Sequence, residues 1–145
     1  MRRFAVVAAV LASTILSGCA TGQMAPSPID RLVTLSGQQV DAYAADGKSF
    51  LDKGGSAAEL MEKTQQAVAN QLKDPGAAQF RNVRLVENAK GTVVCGELNG
   101  KNSYGAYTGF KRFVGSPSGG TIESTGSRYA QVDASANYGL NLLCH

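Results

Sequence analysis

The side chains most able to do chemistry lie in the second half of the chain. Cys144 is followed by His145, the only histidine, and a thiol beside an imidazole raises the question of a metal site or a nucleophile. A structural zinc site wants about four ligands, and a Cys–His nucleophile wants a third group to orient the ring. Neither is evident, so the expectation is no metal and no catalytic residue. Cys95 and Glu97 share a face if their segment is a strand, but a carboxylate raises a neighbouring thiol's pKa, the wrong direction for a nucleophile. Glu59 and Glu62 belong to the solvated start of a helix, and no two acids are placed in an apolar cleft as glycoside hydrolysis requires. Gly119-Gly120-Thr121 lacks the Gly-Lys-Ser/Thr ending of a phosphate loop and reads as a turn.

The run Tyr104-Gly-Ala-Tyr-Thr-Gly-Phe-Lys-Arg-Phe-Val114 carries aromatics at 104, 107, 110 and 113. Gly105 and Gly109 argue against a helix. As a strand, its even face (Tyr104, Ala106, Thr108, Phe110, Val114) reads as core. Its odd face sets Tyr107 between two glycines, followed by Lys111 and Phe113. That is an exposed platform suited to a sugar ring, a peptide or another protein's edge. The plainer alternative, to which the sequence leans, is that the glycines let a helix lie close on that face.

The elements that must position these residues follow from period and turn chemistry. Ser56-Ala57-Ala58-Glu59 is a capping box, and Leu60, Met61, Thr64, Ala67, Val68 and Leu72 continue one apolar stripe. They predict a principal helix over about 56–73, stopped by Asp74-Pro75-Gly76. Residues 37–53 permit a short helix, interrupted or ended near Asp46-Gly47. Strands are expected at 81–87, 92–98 and 104–114, with a turn at 88–91. Asn99-Gly100 reads as a two-residue hairpin turn. A Gly/Ser/Thr/Pro-rich loop over 115–127 is expected to pair briefly near 121–123, followed by short strands at 128–132 and 139–143. The fold class is α+β: one principal helix on an antiparallel meander of four to five strands.

With 145 residues, 43% hydrophobic and without Trp, the chain has room for one modest core. Discounting Arg2 and Arg3, 12 of the 14 Lys+Arg face 11 Asp+Glu, so nothing points to nucleic acid. Met1-Arg2-Arg3 is a cationic start, and Phe4 to Leu16 is an apolar run of export-signal length, too short to span a membrane.

That run ends in Leu16-Ser17-Gly18-Cys19, which resembles the lipobox of bacterial lipoproteins. The resemblance implies a lipid on the Cys19 sulfur, cleavage of the peptide bond before it, acylation (palmitate) of the new amino terminus, and no cofactor besides that covalent lipid. Two or three acyl chains would make release negligible. Ala20, where Asp would retain such a protein at the inner membrane, implies the outer membrane with the domain facing the periplasm. The expected organisation is a signal peptide at 1–18, a lipidated N-terminus and flexible tether at 19–36, and a single domain at 37–145. With Cys19 lipidated, Cys95 and Cys144 remain as a pair, whose default in an oxidising compartment is a disulfide.

The segments Leu72–Arg84 and Val94–Phe110 also resemble a family of small proteobacterial envelope proteins, through Lys-Asp-Pro-x-(Ser/Ala)-Ala-x-Phe and Cys-Gly-x-x-Asn-x-Lys-Asn-x-x-Gly-x-Tyr-x-Gly-Phe. That family brings kinship without an activity, and it directs attention to Asn99, Lys101, Asn102 and Tyr107. The candidate binding face is therefore Asn99, Lys101, Asn102, Tyr107, Lys111 and Phe113. The expected role is a non-enzymatic outer-membrane lipoprotein that binds or braces peptidoglycan or an envelope protein. The alternatives are a periplasmic cell-wall hydrolase, which would need a cleft near Glu97, Lys111 and Arg112, and an inhibitor of a periplasmic or foreign hydrolase.

Overall fold

A computed structural model describes residues 25–145; the lipobox and Cys19 lie outside the described residues. Its first element starts where Ser27 and Asp30 close a capping box. The Asp30 amide donates to Ser27 Oγ at 3.1 Å and the Ser27 amide donates to Asp30 Oδ2 at 3.2 Å, with Pro28 in the first helical position. Helix α1 (Pro28–Asp52) follows. The expected tether over 19–36 is thus corrected from Pro28 onward, and so are the start of the domain at 37 and the short helix over 37–53. Val40, Tyr43, Ala44 and Gly47 recur on one buried face of α1. Gly47 does not end the helix because it serves as a contact: a Cβ there would collide with the Thr92 carbonyl oxygen.

Helix α2 (Ala57–Ala69) has the predicted start, with the Ser56 amide donating to Glu59 Oε2 at 2.8 Å, but stops four residues before Lys73. Pro75–Ala77 then forms one 3₁₀ turn. Strands β1 (Gln79–Asn88), β2 (Gly91–Asn99), β3 (Lys111–Ser116) and β4 (Gly119–Ile122) build an antiparallel sheet in the order β1-β2-β3-β4, so the α+β class and the meander are as expected. Asn88 makes the first turn by accepting, through Oδ1, from the amides of Lys90 and Gly91.

Both sheet faces are covered. On one, Val93, Cys95 and Val114 pack with Val40, Tyr43 and Ala44 of α1. On the other, Val94, Leu98 and Phe113 pack with Leu60 and Val68 of α2. Adjacent residues of a strand thus enter opposite cores. Burying each Val, Leu or Phe contributes about 1.5–3 kcal/mol, so every residue of the middle of β2 and β3 is committed to stability.

The C-terminal segment departs from expectation. Residues 128–132 and 139–143 are not strands: helices α3 (Ala130–Ala136) and α4 (Tyr138–Leu143) lie against α1. Ser36 fixes them, its hydroxyl donating to the Ala136 carbonyl at 2.9 Å and accepting from the Gly139 amide at 2.8 Å. The backbones approach so closely that a Cβ at 139 would strike the Ser36 carbonyl. The Cys95–Cys144 disulfide, with Cα atoms 5.6 Å apart, ties the residue after α4 to the central strand β2. No described helix is long and apolar enough to cross a membrane.

Candidate functional site

The predicted third strand begins only at Lys111, and residues 100–110 form a loop between β2 and β3. Asn99-Gly100 is therefore not a two-residue turn. The left-handed positions are Gly105, at φ 79°, and Gly109, at φ 95°. Neither glycine has anything within 4 Å of where a Cβ would sit, so no helix lies over them.

Polar side chains hold the loop. Asn99 is 8% exposed and its Oδ1 accepts from the Gly109 amide at 3.0 Å, bringing the far end of the loop back to β2. Asn102 Oδ1 accepts from the amides of Tyr104 and Ala106, at 2.9 and 3.1 Å, while its own amide donates to the Ala106 carbonyl. Lys101 and Tyr107 form an isolated antiparallel bridge, and the Thr108 amide donates to the Gly100 carbonyl. At the base, Leu72 packs on Gly100 and Lys73 Nζ donates to Ser103 Oγ at 2.9 Å.

This scaffold presents aromatic rings to solvent. Tyr104 is 94% exposed, Tyr107 45% and Phe110 37%. Lys101 Nζ sits 5.4 Å from the Tyr107 ring centroid, and the Arg81 guanidinium lies 3.8 Å over Phe110. The candidate face is thus partly reassembled. Lys101, Asn102 and Tyr107 share the loop, and Lys111 follows it. Asn99 is buried and acts only as a fastener. Phe113 is wholly buried beside Phe80 and Leu60 and is withdrawn from the face. Parity set Phe113 opposite Val114 as observed, but α2 covers that face as α1 covers the other, and only before Lys111 is the predicted strand broken by the loop. The same break exposes Tyr104 and Phe110, which the even-face reading placed in the core. Glycines four apart in Tyr-Gly-Ala-Tyr-Thr-Gly-Phe were the available signal for a loop.

Beside the loop, on the α1 side of the sheet, is an open cleft of about 250 Å³ lined by Asn82, Arg84, Glu97, Arg112, Cys144 and His145. Its floor is a bulge in β1 between Arg81 and Arg84, where Asn82 takes φ 54° and donates through Nδ2 to Glu97 Oε2 at 3.1 Å. Arg81 also pairs with Glu97, and its hydrogen bond holds the carboxyl below the usual carboxylate range. Arg112 grips Glu123 through Nε at 3.0 Å, Asn141 Oδ1 at 2.9 Å and the Cys144 carbonyl at 3.2 Å, and this holds Glu123 low as well. Arg84 donates to the His145 main-chain oxygen at 2.6 Å. The arginines are thus committed to fastening the C-terminal segment, and Glu97 is an ionised acceptor without a proton to give near neutral pH. The thiols of Cys95 and Cys144 are consumed by their bond.

No known protein family, curated protein or solved structure matches this chain. Among the described residues, no three His, Cys, Asp or Glu side chains gather as a metal ion would need. The cleft is built from groups already satisfied by one another. The loop spends its polar groups on its own backbone and leaves its rings outside.

Proposed function

We propose that this protein is an outer-membrane lipoprotein, anchored through lipid on Cys19, whose periplasmic domain binds an envelope component without catalysis. The contact surface is the 100–110 loop, with Lys101, Tyr104, Tyr107 and Phe110. The carrying observation is a loop held by Asn99 and Asn102 that exposes three aromatic rings. Exposed rings contribute nothing to the core, whereas an ordered loop carrying them loses little conformational freedom on binding. The lipobox resemblance of Leu16-Ser17-Gly18-Cys19 supports the anchor, and the Cys95–Cys144 disulfide suits an oxidising compartment.

Capture from solubilised envelopes tests the binding half. The full-length lipoprotein should retain a component that the Tyr104→Ala/Tyr107→Ala variant loses; equal retention by both removes the loop from the site. Fractionation without detergent tests the anchor. Cys19→Ala should leave unprocessed precursor or a soluble periplasmic form, and its persistence in the outer-membrane pellet as a mature-sized chain contradicts lipid anchoring.

The cleft supports a second reading, a cell-wall hydrolase using Glu97 and His145, both of which line it. With Glu97 locked between Arg81 and Asn82, that reading requires a base in place of an acid. Digestion of cell-wall fragments that disappears in Glu97→Gln would establish it.

A further inference from the structure

The surroundings of the exposed rings carry a ligand class. Between Gly100 and Phe110 the chain has no Asp or Glu, while Lys73, Arg81, Lys101 and Lys111 stand in or around the loop. Lys73 and Lys101 form no ion pair among the described residues, although the chain as a whole is nearly neutral outside its export segment. Arg81 is paired with Glu97, so the unpaired positive charge beside the rings comes from Lys73 and Lys101. Two of the three rings have a cation against them. Lys101 lies over Tyr107, Arg81 over Phe110, and Lys73 reaches Ser103 next to Tyr104. A protein-docking hot spot would bring its rings together in an apolar, desolvated centre. Here they are spaced by glycines at 105 and 109, and an ammonium and a guanidinium group lie against two of them.

Resting on the reading of this loop as the binding surface, we propose that its ligand is an acidic glycan, with sugar rings stacked on Tyr104 and the open side of Tyr107 and anionic substituents met by Lys101 and Lys73. The C–H face of a pyranose is matched by a flat ring whose face carries partial negative charge, and tyrosine adds a polar edge for sugar hydroxyls. A carboxylate or phosphate carried by the sugar or by its substituents is met by the Lys101 ammonium beside Tyr107 and by the Lys73 ammonium at Ser103. The backbone bonds of Asn102, Tyr104, Ala106, Thr108 and Gly109 fix the spacing before the ligand arrives. Such chemistry has two sources in an envelope, the peptide-bearing glycan strands of the cell wall and the anionic sugars of lipopolysaccharide.

Co-sedimentation of the full-length protein with purified cell-wall sacculi, and its retention on immobilised lipopolysaccharide, test the proposal and separate the sources. Binding is expected to one of the two. Tyr104→Ala should weaken it about tenfold, equivalent to about 1.4 kcal/mol, without shifting the melting temperature. Lys73→Ala/Lys101→Ala should weaken it and flatten its salt dependence, and amidating the carboxylates of the sacculi should reproduce that loss if the cell wall is the source. Wild-type protein that binds neither material, or Tyr104→Ala that binds as well as wild type, overturns the proposal. If neither glycan is bound but envelope capture still depends on Tyr104 and Tyr107, the ligand class is wrong and the loop survives as the binding surface. If capture is also independent of them, both readings fall.

Discussion

Cys144→Ser is expected to melt roughly 10–20 °C below wild type, the shift that a loss of about 4 kcal/mol produces in a domain of this size. The bond closes a loop across a sequence separation of 49, and in the chain-entropy account its removal frees that length in the unfolded state. The folded state loses as well. Cys95 is wholly buried and Cys144 is 3% exposed, so a serine hydroxyl at 144 enters an apolar core beside Val93, Val114 and Leu140. The bond also holds α4 to β2 at the point where Arg112 donates to the Cys144 carbonyl. The two fasteners act on one segment, so combining Cys144→Ser with Arg112→Ala should cost a different amount from the sum of the single changes. Calorimetry of the oxidised wild type beside the variant decides the matter, and a shift under about 3 °C would show that the segment is held without the bond.

Phe113→Ala should cost about 3–5 kcal/mol, as truncating a buried aromatic does. The ring is fully buried between α2 and the sheet, edge-on to Phe80 with centroids 5.6 Å apart. Its neighbour across the ladder is Gly96, where a Cβ would lie 2.8 Å from Phe113 Cε1, so the glycine is the space that the ring fills. Phe113→Leu, which keeps most of the volume, should cost about 1.5 kcal/mol or less and remain folded. Urea titration of both variants checks the order. A loss below about 1 kcal/mol for Phe113→Ala would return this residue to the surface.

What the sequence disclosed depended on how local the determining physics was. The capping box at Ser56, the turn at Asn88 and the first two strands are short-range and were legible. The start of α1 was written in the same code, since Ser27-Pro28-Ile29-Asp30 is a capping box with proline in its favoured place, but Pro26 and Pro28 among small residues read equally as a tether. Gly47 was read as a breaker because its reason, contact with the Thr92 carbonyl, lies across the fold. Helices α3 and α4 are too short to stand on propensity and exist because Ser36 and the disulfide hold them against α1 and β2. For the candidate face, the motif resemblance and the residue types together pointed to Lys101, Asn102 and Tyr107, which do lie in one loop. They were insufficient to assign Tyr104, left in the loop because the strand resumes only at Lys111, and Phe113, buried because α2 covers the second face of the sheet.

That division between surface and core is what the functional account stands on, and the melting curve of Tyr107→Ala, run beside Phe113→Ala, tests it most directly. If the loop exposes its rings for a ligand, Tyr107→Ala should cost no more than about 0.5 kcal/mol and melt within a few degrees of wild type. A loss of about 3–5 kcal/mol, matching Phe113→Ala, would mean that Tyr107 is a core residue and would contradict the loop as a binding surface.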